Sequence, residues 1–295
     1  MMDIAVRGVT MRYRRGKRAL DGLDLEIPGG MFGLLGANGA GKTTLLRLLA
    51  GLLQPTEGRV EVGGHPLSTR AGRGAVRRTL GYLPQDFGVY PDLTAREFLD
   101  YLALLKGVDR TAERRRHVGA LLELVDLSGP ADDKLRTYSG GMRRRVGIAQ
   151  ALLGDPRLVI VDEPTAGLDP QERVRFRILL SRLAGERTVL LSTHIVEDVA
   201  QTAGQVGVLG GGRLRFTGTT RALTATANGL VWSVTATDPP PGTTVVSALP
   251  EGARTRYRLL SRTAPVEGAQ PVEPTIEDGY LALTGALTPR RDVRP

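Results

Sequence analysis

The chain has 295 residues, enough for one full hydrophobic core and a smaller second unit, with no cysteine and a formal charge of +9. These figures exclude a disulfide framework and a thiolate metal site; His65, His117 and His194 are spaced too widely for a local metal motif, and no apolar run approaches the ~18 residues of a membrane-spanning helix. Of 40 basic residues only Lys17, Lys42, Lys106 and Lys134 are lysine, and the arginines are dispersed rather than gathered in one stripe, so no nucleic-acid partner is expected.

The start, MMDIAVRGV, lacks the basic-then-apolar pattern of a leader. From Asp3 to about Phe216, short apolar runs alternate with turn residues and helical stretches, the pattern of an α/β domain. Strands are predicted at IAVRGV, LDLEI and MFGLL. The last leads into GANGAGKT (residues 36–43) and the helical run TLLRLLAGLL, after which RVEV and LGYLP continue the strand series. A helical insert is predicted over about 86–150, where Thr94 and Glu97 form a capping box opening REFLDYLALL and a second amphipathic helix runs through HVGALLELV. A further helix begins behind Ser139-Gly140-Gly141 in YSGGMRRRVGIAQ. LVIVD and TVLLS are strands, and VGVL, a glycine loop and RLRF read as a closing hairpin. After residue 218 the composition shifts to LVWSVTAT, the breaker Pro239-Pro240-Pro241-Gly242, alternating RTRYRLL, a proline-containing linker, and TIEDGYLALTG, which Thr275 and Asp278 cap as a short helix ahead of a frayed tail. The expected organisation is therefore a main domain over 1–218 and a small α+β appendage over 219–295, with no internal repeat.

Four strand ends carry chemistry. GANGAGKT has the strand, glycine loop and helix order of a phosphate-binding loop, in which backbone amides turn toward a β-phosphate, Lys42 reaches the β/γ oxygens and Thr43 offers its hydroxyl to Mg²⁺. LVIVDEP is an apolar strand ending in Asp162, the natural magnesium partner, and Glu163, free to act as general base on a water. TVLLSTH presents His194 at a third strand end, within reach of a γ-phosphate, and Gln85 after LGYLP is placed to touch either the metal or the attacking water. Ser139 and the helix behind it form a second anion-binding helix start, about a hundred residues from the first.

GANGAGKT, Gln85, YSGGM, LVIVDE, GLDP (residues 167–170) and LSTH occur in the order and approximate spacing of the ATP-binding cassette ATPases, which the first 218 residues resemble. The resemblance implies a phosphate-loop NTPase cassette with a RecA-like α/β core, an antiparallel β subdomain and the α-helical insert. It implies ATP and Mg²⁺ as ligands, with Gly36, Asn38, Gly39, Ala40, Gly41, Lys42, Thr43 and Thr44 binding nucleotide, Thr43, Gln85 and Asp162 serving the metal, and Glu163 and His194 catalytic. Tyr13 is similar to the aromatic that stacks on adenine, or is packed at a strand edge. Ser139, Gly140 and Gly141 would close on the γ-phosphate of a second cassette, dimerised head to tail, with a homodimer expected. Met142 and Arg144 stand where many members have Gln. The stretch 138–170 and the ending IEDGYLALTG further resemble ATPase subunits of bacterial exporters of drugs, antibiotics, lipids or polysaccharides. These work with separate membrane permease subunits docked between core and insert, and the cassette is peripheral on the cytoplasmic face. An importer subunit, or a soluble cassette ATPase of translation or DNA repair, are the alternatives.

Overall fold

The computed structural model describes residues 1–13 and 16–285, so Arg14, Arg15 and the tail expected to fray lie outside the described residues. The chain opens with β1 (Ile4–Arg12), β2 (Arg18–Ile27) and β3 (Met31–Leu35), then α1 (Lys42–Leu49), β4 (Glu57–Val62), β5 (His65–Pro66), α2 (Arg70–Thr79) and β6 (Leu80–Leu83). The insert holds α3 (Ala95–Leu105), α4 (Thr111–Leu124) and α5 (Gly140–Leu152). Strand and helix then alternate through β7 (Leu158–Asp162), α6 (Pro170–Leu183), β8 (Thr188–Thr193), α7 (Val196–Thr202), β9 (Gln205–Gly210) and β10 (Arg213–Thr219). The remainder comprises α8 (Thr220–Ala225), β11 (Val231–Ala236), β12 (Thr244–Glu251), β13 (Arg254–Leu260), β14 (Gln270–Pro271) and α9 (Ile276–Leu283).

The strands form three sheets: an antiparallel β2-β1-β4-β5, a central β10-β9-β3-β8-β7-β6, and an antiparallel β12-β13-β11-β14. In the central sheet β9, β3, β8, β7 and β6 are parallel and only β10 runs against its neighbour. Every residue of β7 and β8 is buried, as expected for parallel strands covered on both faces. Their side chains alternate between two cores. Val159, Val161, Val189 and Leu191 pack with Leu99, Leu122 and Ile148 of the insert, while Leu158, Ile160 and Leu190 pack with α1 and the first antiparallel sheet.

The capping box at Thr94 and Glu97 is present, and α4 begins earlier than the apolar pattern suggests, at Thr111, through the polar turn TAERRR. The sequence did not announce β12. It is an edge strand with exposed Val245 and Leu249 and a proline at 250, so neither burial nor alternation marks it. In packing, the segment after residue 218 is continuous with the central sheet: Leu223 of α8 and Ile276, Tyr280 and Leu283 of α9 join Leu35, Val199 and Val208 in one apolar cluster. The two helices approach so closely that a Cβ on Gly279 would lie 2.1 Å from the Leu223 carbonyl oxygen.

That packing is pinned by one ion pair. Asp278, fully buried, accepts bonds from the Thr275 amide at 2.6 Å and from the Thr275 hydroxyl at 2.7 Å, closing the cap of α9. Arg258 on β13 donates to it bidentately, at 3.0 and 2.7 Å. Burial alone would push this carboxyl up, but the donors from Arg258 and Thr275 outweigh it and hold it below the ordinary aspartate value. The stabilisation is therefore fully present above about pH 4 and is lost as pH falls through the lower folded value. Asp278→Asn is expected to cost about 2–3 kcal/mol at pH 7, discounted because the Arg258 side chain is a quarter exposed. Urea unfolding at pH 7, 5 and 3 checks it: the gap between the two proteins stays open at pH 5 and narrows at pH 3.

Candidate active site

β3, β8, β7 and β6 are consecutive neighbours in the central sheet, and their carboxyl ends carry the glycine loop, His194, Asp162 with Glu163, and Gln85. Ligands of open parallel sheets bind at such ends. Gly41 caps α1 with φ +107°, and a Cβ there would stand 2.6 Å from the Ala19 carbonyl oxygen, so only glycine lets the loop swing into the helix at this point. The first amides of α1 then face the cleft as an anion site.

Lys42 and Glu163, about 6% and 4% exposed, meet at the bottom. The Lys42 ammonium donates to the Gly36 carbonyl at 2.6 Å and lies 3.1 Å from Glu163 Oε1. Glu163 Oε2 is 2.7 Å from His194 Nδ1. Its backbone is left-handed, φ 49°, although the following residue is Pro164, which favours an extended predecessor. The Glu163 amide donates to the Ser192 carbonyl at 2.8 Å, which fixes the end of β7 to β8. Beside it the Thr43 hydroxyl donates to Asp162 Oδ2 at 2.8 Å. Burial raises the Asp162 carboxyl above its ordinary range, and the Thr43 bond only partly opposes this.

Tyr13, Asn38, Gly39, Gly41, Lys42, Thr43, Thr44, Gln85 and Glu163 line one cleft of about 310 Å³. Tyr13 follows β1 with an exposed ring whose hydroxyl is 3.3 Å from Thr44 Oγ1. Gly36 contributes its carbonyl to Lys42, while Ala40 is buried behind the loop and accepts from the Gly212 amide at 3.0 Å. Asp162 and His194 join through Thr43 and Glu163. Ser139, Gly140 and Gly141 do not line this cleft: Ser139 is exposed at the start of α5, where its Oγ accepts from the Met142 amide at 3.1 Å. Lys17, Ala19 and Ala37, not among the expected site residues, complete the wall. Lys17 had a signal, being one of four lysines in a chain that otherwise uses arginine. Arg144, expected only as a departure from the family's Gln, has a guanidinium that bonds no side chain but three backbone carbonyls.

The donor set fits magnesium. Asp162 Oδ1 is buried and takes no hydrogen bond, next to a hydroxyl and with no nitrogen or sulfur competitor, and no cluster of three metal-ligating side chains exists among the described residues. A hard cation that keeps its waters and takes the rest of its shell from phosphates needs no more than this. Thr43 and Asp162 would hold it, and when bound it would neutralise charge on the phosphate oxygens.

The glycine loop, the acidic strand end and the sheet order together define a phosphate-loop nucleoside triphosphatase. The profile of the ABC transporter family matches residues 20–166. A daunorubicin resistance ATP-binding protein, DrrA3, from Streptomyces coeruleorubidus is 41% identical over 228 residues, 77% of this chain and 71% of the relative. The Nod factor export ATP-binding protein I of Cupriavidus metallidurans is 43% identical over 196 residues, 66% of this chain and 64% of that protein. Among solved structures, the dimeric ADP- and Pi-bound cassette MJ0796 superposes with a TM-score of 0.67 at 28% identity, covering 73% of this chain and 98% of that one. CbiO1 from Clostridium perfringens, part of the transporter complex cbiONQ, gives 0.69 at 28%, covering 75% and 90%. The chain belongs to the ABC transporter family, as an ATP-binding subunit and an ATPase.

If Glu163 is the base, Glu163→Gln retains ATP binding, since Lys42 and the loop amides are untouched, while hydrolysis falls by ~10²–10⁴-fold. Equilibrium binding of a fluorescent ATP analogue beside steady-state phosphate release checks both halves; turnover within twofold of the parent would remove Glu163 from the role.

Proposed function

We propose that two copies of this chain close head to tail over two ATP and drive export through separate membrane subunits, working at the cytoplasmic face of the membrane. The observation that carries the two-chain site is the position of Ser139. An exposed, Ser-capped helix start is an anion site, yet it lies outside the cleft of its own chain. It is complete only if another molecule's phosphate is brought to it, and the solved cassette MJ0796 is a dimer bound to ADP and Pi. In each composite site Glu163 would take the proton of the attacking water, while Lys42, His194 and the facing Ser139 helix would surround the γ-phosphoryl oxygens.

Two further observations support the transport reading. A groove of about 370 Å³ runs between core and insert, floored by Leu80, Tyr82 and Gln150 and walled by exposed Leu52 and Leu105, and suits a helix of a membrane subunit. No helix among the described residues is long and apolar enough to cross a membrane, and in the proposed assembly the transport path is built by the separate membrane subunits. The export direction rests on the named roles of the resistance and Nod factor export relatives, and the division of the chain near residue 218 rests on composition.

Ser139→Arg is expected to leave nucleotide binding unchanged but to abolish ATP-dependent dimerisation and lower turnover by ~10²-fold or more. Size-exclusion chromatography with ATP in the Glu163→Gln background reads the first effect and phosphate release the second; an intact dimer would sink the two-chain site. Affinity capture of the tagged chain from detergent-solubilised membranes should bring a stoichiometric multi-span membrane protein. Ribosomal or DNA-bound partners in its place would favour a soluble role.

A further inference from the structure

α5 begins at the Ser139 cap, and one of its side chains reaches the opposite end of the site. All three nitrogens of the Arg144 guanidinium donate to backbone carbonyls: Nε to Pro164 at 3.1 Å, one terminal nitrogen to Gln85 at 2.7 Å and the other to Glu163 at 2.7 Å. The neighbouring Arg145 turns the other way, donating to the Val125 and Asp126 carbonyls and pairing with Glu172, so α5 is anchored to the ends of α4 and α6. Arg144 passes that anchorage to two separate loops. One carries Gln85 beyond β6, and the other is the left-handed turn at Glu163-Pro164.

A planar fork of five N–H donors suits three carbonyls converging from different segments; a single ammonium does not. Neither carbonyl at the turn belongs to the β7 ladder, which ends at Asp162; the Glu163 carbonyl receives only a long local bond, from the Ala166 amide at 3.4 Å, so the Arg144 donor at 2.7 Å is its close partner in the strained conformation. The carbonyl of Glu163 and its carboxylate sit on one residue. A shift of the peptide therefore moves the Oε atoms relative to Lys42 and His194, and misplacement by about 1 Å can cost ~10²-fold in rate.

We propose that Arg144 is a positioning residue for hydrolysis: it locks the backbone of Glu163 and of the Gln85 loop to the helix that starts at Ser139, so that the base and the surface meeting the second ATP move as one body. This rests on the assignment of Glu163 as the base.

The test is a double-mutant cycle on the full chain, with wild type, Arg144→Ala, Glu163→Gln and the double variant measured for ATP binding stoichiometry, KM and single-turnover hydrolysis. Arg144→Ala is expected to bind one ATP per chain with KM within about threefold and kcat lowered ~10–100-fold. In the Glu163→Gln background the same substitution should cause less than a twofold further loss, because nothing remains to position. Multiplicative losses overturn the proposal, since a general weakening of the fold would act equally in both backgrounds. So does a wild-type kcat in Arg144→Ala. A Glu163→Gln protein with normal turnover instead removes the base assignment, and the proposal falls with its premise. Should Arg144→Ala not fold, Arg144→Lys takes its place in the cycle, with an expected ~10-fold loss in the parent background and none beyond twofold over Glu163→Gln; a wild-type kcat there overturns it.

Discussion

A carboxylate almost out of water must be balanced, and the structure of this site follows from how Glu163 is balanced. Its two oxygens face different partners, Lys42 at 3.1 Å and His194 at 2.7 Å. The Lys42 pair is the buried one, and taking Lys42 away would leave an uncompensated charge, a loss of ~3–5 kcal/mol; the half-exposed His194 ring orients the other oxygen. Both partners must therefore be delivered by rigid elements. Lys42 is the first residue of α1, and His194 follows β8 directly, so each side chain starts from a fixed point of the backbone. The strained turn at Glu163 is the remaining degree of freedom, and it is held from one side by the Ser192 carbonyl and from the other by Arg144.

The sheet order makes this possible. In chain order β3, β6, β7 and β8 are separated by helices and the whole insert, yet in the sheet they stand side by side as β3-β8-β7-β6. Parallel strands at ~4.8 Å spacing put four consecutive carboxyl ends within about 14 Å of one another, so side chains from all four can converge on one cleft. The same alternation of side chains that divides the two cores leaves the strand ends free of packing duties. Polar residues can therefore cluster there without opening a gap in the apolar layers beneath.

Residue chemistry was legible in the sequence because it is local. The glycine loop, the Asp162-Glu163 strand end and both capping boxes need only neighbours in the chain, and the structure places each where its spacing implies. What could not be read is what depends on distant segments meeting. Nothing in LVIVD or MFGLL says that β8 lies between them. Arg144 reads as one of three arginines in a row, and only the fold shows that it and Arg145 point to different loops. β12 is missing from the sequence reading because an edge strand is exempt from burial on which patterning depends. The helix at 276–283 was found by its cap, but its packing against Val199 and Leu35 lay in Gly279, whose missing Cβ matters only once α8 is beside it.

The contrast between a fixed backbone and exchangeable side-chain partners explains how such a site can be controlled. The Lys42 ammonium is shared between neutral loop carbonyls, Gly36 at 2.6 Å and Ala37 at 3.4 Å, and the Glu163 carboxylate. A triphosphate entering the loop offers several formal charges to the same ammonium, a stronger partner than a carbonyl and a competitor to a single carboxylate. With ATP bound as proposed, Lys42 would turn to the phosphates and release Glu163 Oε1, while Oε2 stays with His194. The carboxylate cannot follow the lysine, because its peptide is held by Ser192 and Arg144. On the proposed role of Glu163 as base, one of its oxygens would thus be uncovered beside the bound nucleotide, and covered again by the lysine when the cleft empties.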